Sequence, residues 1–257
     1  RSRGLGDVYK RQTIHYKSMR KKINPVFIFT VLATIVGILI INRPKFEDHP
    51  VKTKQNPVQV ETQALHNINK PIIDVSGWQR PSEINYDTLT QNISGAIVRV
   101  HSGAQVSVEN DASFKNGVDK AYKEHITEFQ KRNVPVAVYA YVAGKNVEEM
   151  EKAAEAFYNA ASPYNPSYYW LDVEEKTMSD MNQGVEAFRA KLASLGAKNI
   201  GIYVGVYFME EHSISVDNYS AIWIPSYGTN SGYYESAPKT DLSYDLHQYT
   251  SHGNLGG

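Results

Sequence analysis

The 257-residue sequence contains no cysteine. That excludes a disulfide framework, a thiolate zinc site and a cysteine nucleophile. Glycine-rich phosphate loops are missing too. Gly201-Ile-Tyr-Val-Gly205 has neither GxGxxG spacing nor a following Lys-Ser/Thr, which speaks against a nucleotide cofactor. His101, His125, His212, His247 and His252 form no HExxH or triad spacing, and there is no GxSxG elbow. A nucleotide cofactor, a thiolate zinc site and a histidine-motif zinc site are therefore not expected. No internal repeat runs through residues 71–257, so binding modules built from repeats are not expected there. Net charge is also absent, with 27 basic and 27 acidic residues, but the balance hides a split. Residues 1–70 carry a net +9, while residues 71–257 carry 14 Lys/Arg against 23 Asp/Glu, a net −9. An acidic globular part repels phosphates, so nucleic acid is not an expected partner.

The basic segment reads as an address. Residues 1–18 precede Met19 and resemble upstream read-through or a cloning scar. Arg20-Lys21-Lys22 is followed by an uncharged apolar run from Pro25 to Ile41. Seventeen residues make a helix of about 26 Å, enough to span a hydrocarbon core. Residues 19–41 are expected to be a signal-anchor, contacting the membrane through residues 25–41 with the N-terminus inside. A cleaved signal peptide is the other reading, but Ile40-Ile41-Asn42-Arg43-Pro44 offers no small-x-small site. Both readings place the rest of the chain outside the cytoplasm, anchored or secreted. Residues 42–70, polar and containing Pro44, Pro50 and Pro57, read as a linker.

From residue 71 short β-branched and aromatic runs alternate with amphipathic stretches. The runs are Pro71–Ser76, Gly95–Val100, Val134–Val142, Tyr168–Glu174, Asn199–Val204, Ala221–Ser226 and Tyr244–Thr250. Runs apolar on both faces fit a parallel sheet covered by helices. Asn146 with Glu149 resembles a capping box, and Asp180 precedes a stripe of Met181, Val185, Phe188, Leu192 and Leu195 that Gly196 ends. Phe114, Val118, Tyr122, Ile126 and Phe129 read as a further helical stripe. The pattern predicts an α/β fold, a (β/α) barrel in preference to a doubly wound sheet. In a barrel, function gathers at the C-terminal strand ends.

Chemistry gathers there. In Tyr168-Tyr-Trp-Leu-Asp172-Val-Glu174-Glu175, strand alternation puts Trp170, Asp172 and Glu174 on one face. Two carboxylates packed together cannot both ionise cheaply, so one pKa rises and an acid keeps its proton near neutrality. A solvated strand end or a Mg/Ca site would use the same residues. Asp74, in the otherwise apolar first strand, needs a partner for its burial. Arg99 and His101 share a face of the second strand, where either could orient a carboxylate. Tyr139, Tyr141, Tyr203, Trp223, Tyr227 and Tyr249 fall at or near strand ends, and aromatic faces with polar tips suit pyranose rings.

Asp74-Val-Ser-Gly-Trp78-Gln79, Tyr169-Trp-Leu-Asp172-Val-Glu174, Gly201-Ile-Tyr203 and Asp245-Leu-His-Gln248-Tyr249-Thr-Ser are together similar, in order and spacing, to glycoside hydrolase family 25, the muramidase-type lysozymes. The resemblance spans residues 71–257. It implies an irregular, TIM-barrel-like (β/α) barrel of five β/α units plus three strands. It also implies hydrolysis of the β-1,4 bond between N-acetylmuramic acid and N-acetylglucosamine in peptidoglycan glycan strands by a monomer, with no metal or organic cofactor. Glu174 then matches the general acid, Asp172 the neighbouring carboxylate and Asp74 the residue holding their network. Trp78, Arg99, Tyr139, Tyr141, Trp170, Tyr203, Trp223, Tyr227 and Gln248 become the expected substrate-binding residues. Two departures stand out: His247 replaces the family's usual Trp, and the chain stops before the family's usual Val-Asp-x-Asn-like segment, so a longer native protein is expected. A non-enzymatic glycan-binding module is the competing reading, and a chitin-cleaving barrel a more distant one.

Overall fold

Each run of β-branched and aromatic residues anticipated after position 70 forms a strand in the computed structural model, which describes residues 70–103 and 109–257. The strands are β1 (Ile72–Val75), β2 (Gly95–His101), β3 (Val136–Tyr141), β4 (Tyr169–Val173), β5 (Ile200–Val204), β6 (Ala221–Pro225) and β7 (Leu246–Gln248). All neighbours pair parallel, in the order β1 to β7. Helices α1 (Tyr86–Leu89), α2 (Tyr122–Lys131), α3 (Val147–Ala161), α4 (Met181–Leu195) and α5 (Val206–Glu211) follow the first five strands in turn. The result is a curled half-barrel of five β/α units. Of the three strands expected after them, β6 and β7 are present among the described residues. The expectations for residues 1–18, for the anchor at 19–41 and for the linker up to residue 69 lie outside the described residues. Among those described, no helix is long and apolar enough to cross a membrane.

Strand alternation builds two cores. Outward-facing Val98, Val100, Leu171, Val173, Ile202 and Val204 meet the helices through Ile126, Phe129, Phe157, Phe188 and Leu192. Inward-facing Ile97, Ala137, Trp170, Tyr203, Ala221 and Trp223 pack together inside the curl. Removing such apolar surface from water contributes about 1.5–3 kcal/mol per large side chain. Asn146 accepts from the Glu149 amide (2.9 Å), while the Glu149 carboxylate reaches back to the Lys145 amide (2.9 Å). Asp180 accepts from the Gln183 amide (2.9 Å), and Gly196, at φ 108°, ends α4 in the left-handed conformation that glycine favours.

One expected helix is shorter than its stripe. Phe114 and Val118 do not join α2; the Phe114 amide donates to the Val118 carbonyl in a turn, and Ser113 bridges Asp119 antiparallel. Asp119 is the reason. It is fully buried, and its Oδ1 accepts from the Ala121 amide at the start of α2 (2.8 Å). Its Oδ2 accepts from the Gly77 amide (2.8 Å) and from Arg99 Nε (2.9 Å). A carboxylate holding three donors from three segments fixes the chain there and starts the helix after it.

Candidate active site

The C-terminal end of the half-barrel holds a cleft of about 120 Å³ lined by Asp74, Tyr139, Asp172, Glu174, Tyr203, Trp223, Tyr227 and Gln248. Each arrives by alternation from a strand whose other face is outer core. On β4, Leu171 and Val173 are fully buried against the helices, so Asp172 and Glu174 face the opening. On β1, Ile73 and Val75 pack outward and leave Asp74 inside.

The carboxylates are not equivalent. Burial pushes the Asp172 pKa well up, and the facing Glu174 and then Asp74 push it further, while Arg99 opposes them. Asp172 Oδ1 is buried without a hydrogen-bond partner, which also disfavours its charge. Asp74 is raised as well, by burial first, with the Gln248 hydrogen bond pulling the other way. Glu174 lies beyond the strand end and is exposed. The rise expected for one member of the pair therefore falls on Asp172, the member enclosed by the barrel. Tyr139 is pushed well up by burial, then by Asp74 and Asp172, and Tyr203 is also raised by burial. Both phenols keep their protons at neutral pH.

Gln248 ties the two sheet edges together. Its side-chain oxygen accepts from the hydroxyls of Tyr203 (2.7 Å) and Tyr227 (2.5 Å), which themselves lie 3.1 Å apart. Its side-chain nitrogen donates to Asp74 Oδ2 (2.8 Å), 174 residues away in sequence. The partner Asp74 needs is thus an amide on β7. Gln248 lines the cleft, but its amide oxygen and nitrogen are already committed to protein groups.

Four expected contact residues lie outside the cleft lining. Trp170 sits one layer deeper, because it precedes Asp172 by two positions on the same face of β4. It is 2% exposed, stacked on Tyr168 (5.5 Å) and edge-on to Trp223 (5.7 Å). Its indole fits because Gly201 is its cross-strand partner; a Cβ there would come within 2.4 Å of the ring. Arg99 is held behind the cleft by Asp119, with Nη2 buried and unpartnered. The Tyr141 hydroxyl donates to Glu175 Oε2 (3.1 Å). Trp78 is 58% exposed on the loop after β1.

Other side chains settle into structural positions. His247 points away from the cleft. Its Nε2 lies 2.8 Å from the Ser226 carbonyl, and its ring contacts Tyr234, Tyr244 and Tyr249. His125, fully buried and with its pKa lowered by that burial, is neutral. It donates from Nε2 to the Ser76 carbonyl (3.1 Å) and accepts the Tyr86 hydroxyl at Nδ1 (2.7 Å). Asp119 escaped the sequence reading because its apolar neighbours mimic a helix; its position three residues before a real helix start was the available signal. Among the described residues no three His, Asp or Glu side chains converge closely enough to hold a metal ion.

Known proteins are similar to this chain in sequence and fold. The family model for glycosyl hydrolases family 25 matches residues 73–257. GHIP, a virulence factor and glycosyl hydrolase 25 of Streptococcus pneumoniae participating in host cell invasion, is 76% identical with a TM-score of 0.74, covering 79% of this chain and 88% of its own. The catalytic domain of endolysin ply40 from bacteriophage P40 of Listeria monocytogenes shares the fold at 22% identity and TM-score 0.61, over 72% of this chain and 86% of that one. The modular autolysin LytC of Streptococcus pneumoniae, in complex with a synthetic peptidoglycan ligand, shares it at 20% identity and TM-score 0.54, over 71% and 42%. No curated protein matches the chain. A family match running from β1 to residue 257, joined to 76% identity with one of the family's solved members, leaves one conclusion: the chain belongs to glycosyl hydrolase family 25.

Proposed function

We propose that this glycoside hydrolase cleaves the β-1,4 bond between N-acetylmuramic acid and N-acetylglucosamine in peptidoglycan, with Glu174 as general acid. The observation that carries the reading is the Asp172–Glu174 pair. It is a coupled pair of carboxylates, one enclosed and one at the mouth, in a cleft walled by phenols and an indole. Burial and mutual repulsion keep one proton on the pair at neutral pH. That proton rests on Asp172 in the free enzyme and reaches the leaving oxygen through Glu174 as the C1–O bond breaks. Both carboxylates are then ionised and face the positive charge developing on the sugar ring, which Asp172 stabilises. Water adds at C1 in the closing step and returns a proton to the pair. Asp74, clamped by Gln248, adds a third carboxyl group to the site, and the Tyr139 phenol offers a donor to sugar oxygens. A pure binding module gains nothing from an enclosed carboxylate with an unpartnered oxygen, so hydrolysis is the favoured reading.

The substrate lies outside the cytoplasm. On this proposal residues 19–41 carry the domain across the membrane and tether it there, with residues 42–70 as the reach. Digestion of purified peptidoglycan, followed by mass spectrometry of the new reducing ends, tests the chemistry. Reducing-end muramic acid is expected from the wild type, and Glu174→Gln should lower the rate by about 10²–10⁴-fold. Reducing-end glucosamine, or an unimpaired Glu174→Gln enzyme, would overturn the assignment.

A further inference from the structure

The connection from β6 to β7, residues 226–245, is the one strand-to-strand connection among the described residues that contains no helix. It is far longer than the usual few residues, and unstructured connections of this length in compact domains are commonly functional. This one is firmly built. The Glu235 carboxylate accepts from the Thr229 amide (2.9 Å), the Thr229 hydroxyl and the Ser231 hydroxyl (2.8 Å). Asn230, in the left-handed conformation at φ 58°, accepts at Oδ1 from the Thr250 hydroxyl (2.9 Å) and the Ser251 amide (3.0 Å), and its Nδ2 donates to the Ser251 hydroxyl (2.9 Å). Tyr227, at the start of the loop, is already part of the cleft.

This ordered loop leaves two aromatic rings bare: Tyr233 is 78% exposed and Tyr234 is 61% exposed. Tyr234 meets His247 (5.8 Å), on the outward face of β7, and Tyr249 (6.1 Å), just past that strand's C-terminal end. The pair therefore stands at the same end of the barrel as the carboxylates. The wider surface agrees. Trp78, Phe114 and Tyr207, the other exposed aromatic side chains among the described residues, also lie in segments that follow C-terminal strand ends.

The cleft itself measures about 120 Å³, the liquid volume of about four waters. It has room for little beyond the bond being cut, so a polymer seated there must continue over the rim. We propose that the 226–245 loop is a glycan-docking arm, with Tyr233 and Tyr234 as a sugar-binding subsite outside the cleft. The proposal rests on the glycan-hydrolase reading above. Two tyrosine faces suit the C–H faces of pyranose rings, and their phenol hydroxyls suit the rings' hydroxyl edges. Because the loop is already ordered, binding freezes little additional chain.

The test compares the full-length wild type with Tyr233→Ala/Tyr234→Ala on polymeric peptidoglycan and on a tetrasaccharide of alternating N-acetylglucosamine and N-acetylmuramic acid. The ratio of kcat/KM on polymer to that on tetrasaccharide should fall about five- to tenfold in the double variant, through KM. In a Glu174→Gln background, co-sedimentation with insoluble peptidoglycan should weaken by a similar factor. An unchanged ratio from an active, folded variant overturns the arm and leaves the hydrolase reading intact, as does an equal loss on both substrates. A wild type that cleaves neither substrate, yet binds insoluble peptidoglycan better than the double variant, overturns the hydrolase reading and keeps the arm.

Discussion

Burial and the facing Glu174 both oppose ionisation of Asp172, and the opposition has a measurable sign. The folded chain holds a proton that the unfolded chain releases near pH 3.9. Stability from this group is complete below that value and is lost as pH rises toward the raised folded pKa. Asp172→Asn removes the penalty while keeping the shape. It should abolish most activity, by about a hundredfold or more, and yet raise the melting temperature at pH 7. A gain of about 1–2 kcal/mol corresponds to a rise of about 2–8 °C for a domain of this size. The difference between variant and wild type should shrink toward zero as the melts are repeated down to pH 3. Parallel melting curves at every pH would sink this account.

At the scale of elements, Asp119 joins the loop after β1, strand β2 and the start of α2 through three donors. Asp119→Ala leaves the Arg99 guanidinium buried without its counter-ion and should cost about 3–5 kcal/mol. Replacing both, as Asp119→Ala/Arg99→Met, should cost less than the single change, because the stranded charge goes too. Denaturant midpoints of the three variants check this; a double variant that loses the sum of the two single losses would refute it. The same region shows what a sequence does and does not disclose. The seven strands were readable because β-branched and aromatic runs of six to nine residues admit few other burials, and Asp172 with Glu174 was readable because strand alternation is local. The start of α2 was misread because Phe114 and Val118 fall at helical spacing while a buried carboxylate overrides them. The depth of Trp170, the capture of Arg99 and the commitment of Gln248 depend on contacts between distant segments, which no local period encodes.

Over the whole domain, residues 71–257 carry a net charge of −9. On the proposed anionic substrate, long-range repulsion slows approach at low ionic strength. Activity should first rise as salt is added, until the Debye length falls to about 10 Å near 0.1 M. A rate that declines steadily from the lowest salt would contradict this. Among the described residues β1 and β7 are the outermost strands of the sheet, and one hydrogen bond joins them: Asp74 stands on β1, and the Gln248 that holds it stands on β7. Gln248→Ala should therefore speed amide hydrogen exchange in β1 and β7 ahead of β3 and β4, and should lower kcat more than it raises KM. Unchanged exchange at both edges would argue that the clamp bears no strain. Holding the clamp also makes chemistry a property of curvature. An enzyme molecule whose edge has frayed remains folded by most measures but falls silent, so catalysis should fade several degrees before the domain melts. The lytic activity of a wall hydrolase would then be interlocked with its own integrity, and a damaged copy would be harmless before it is unfolded.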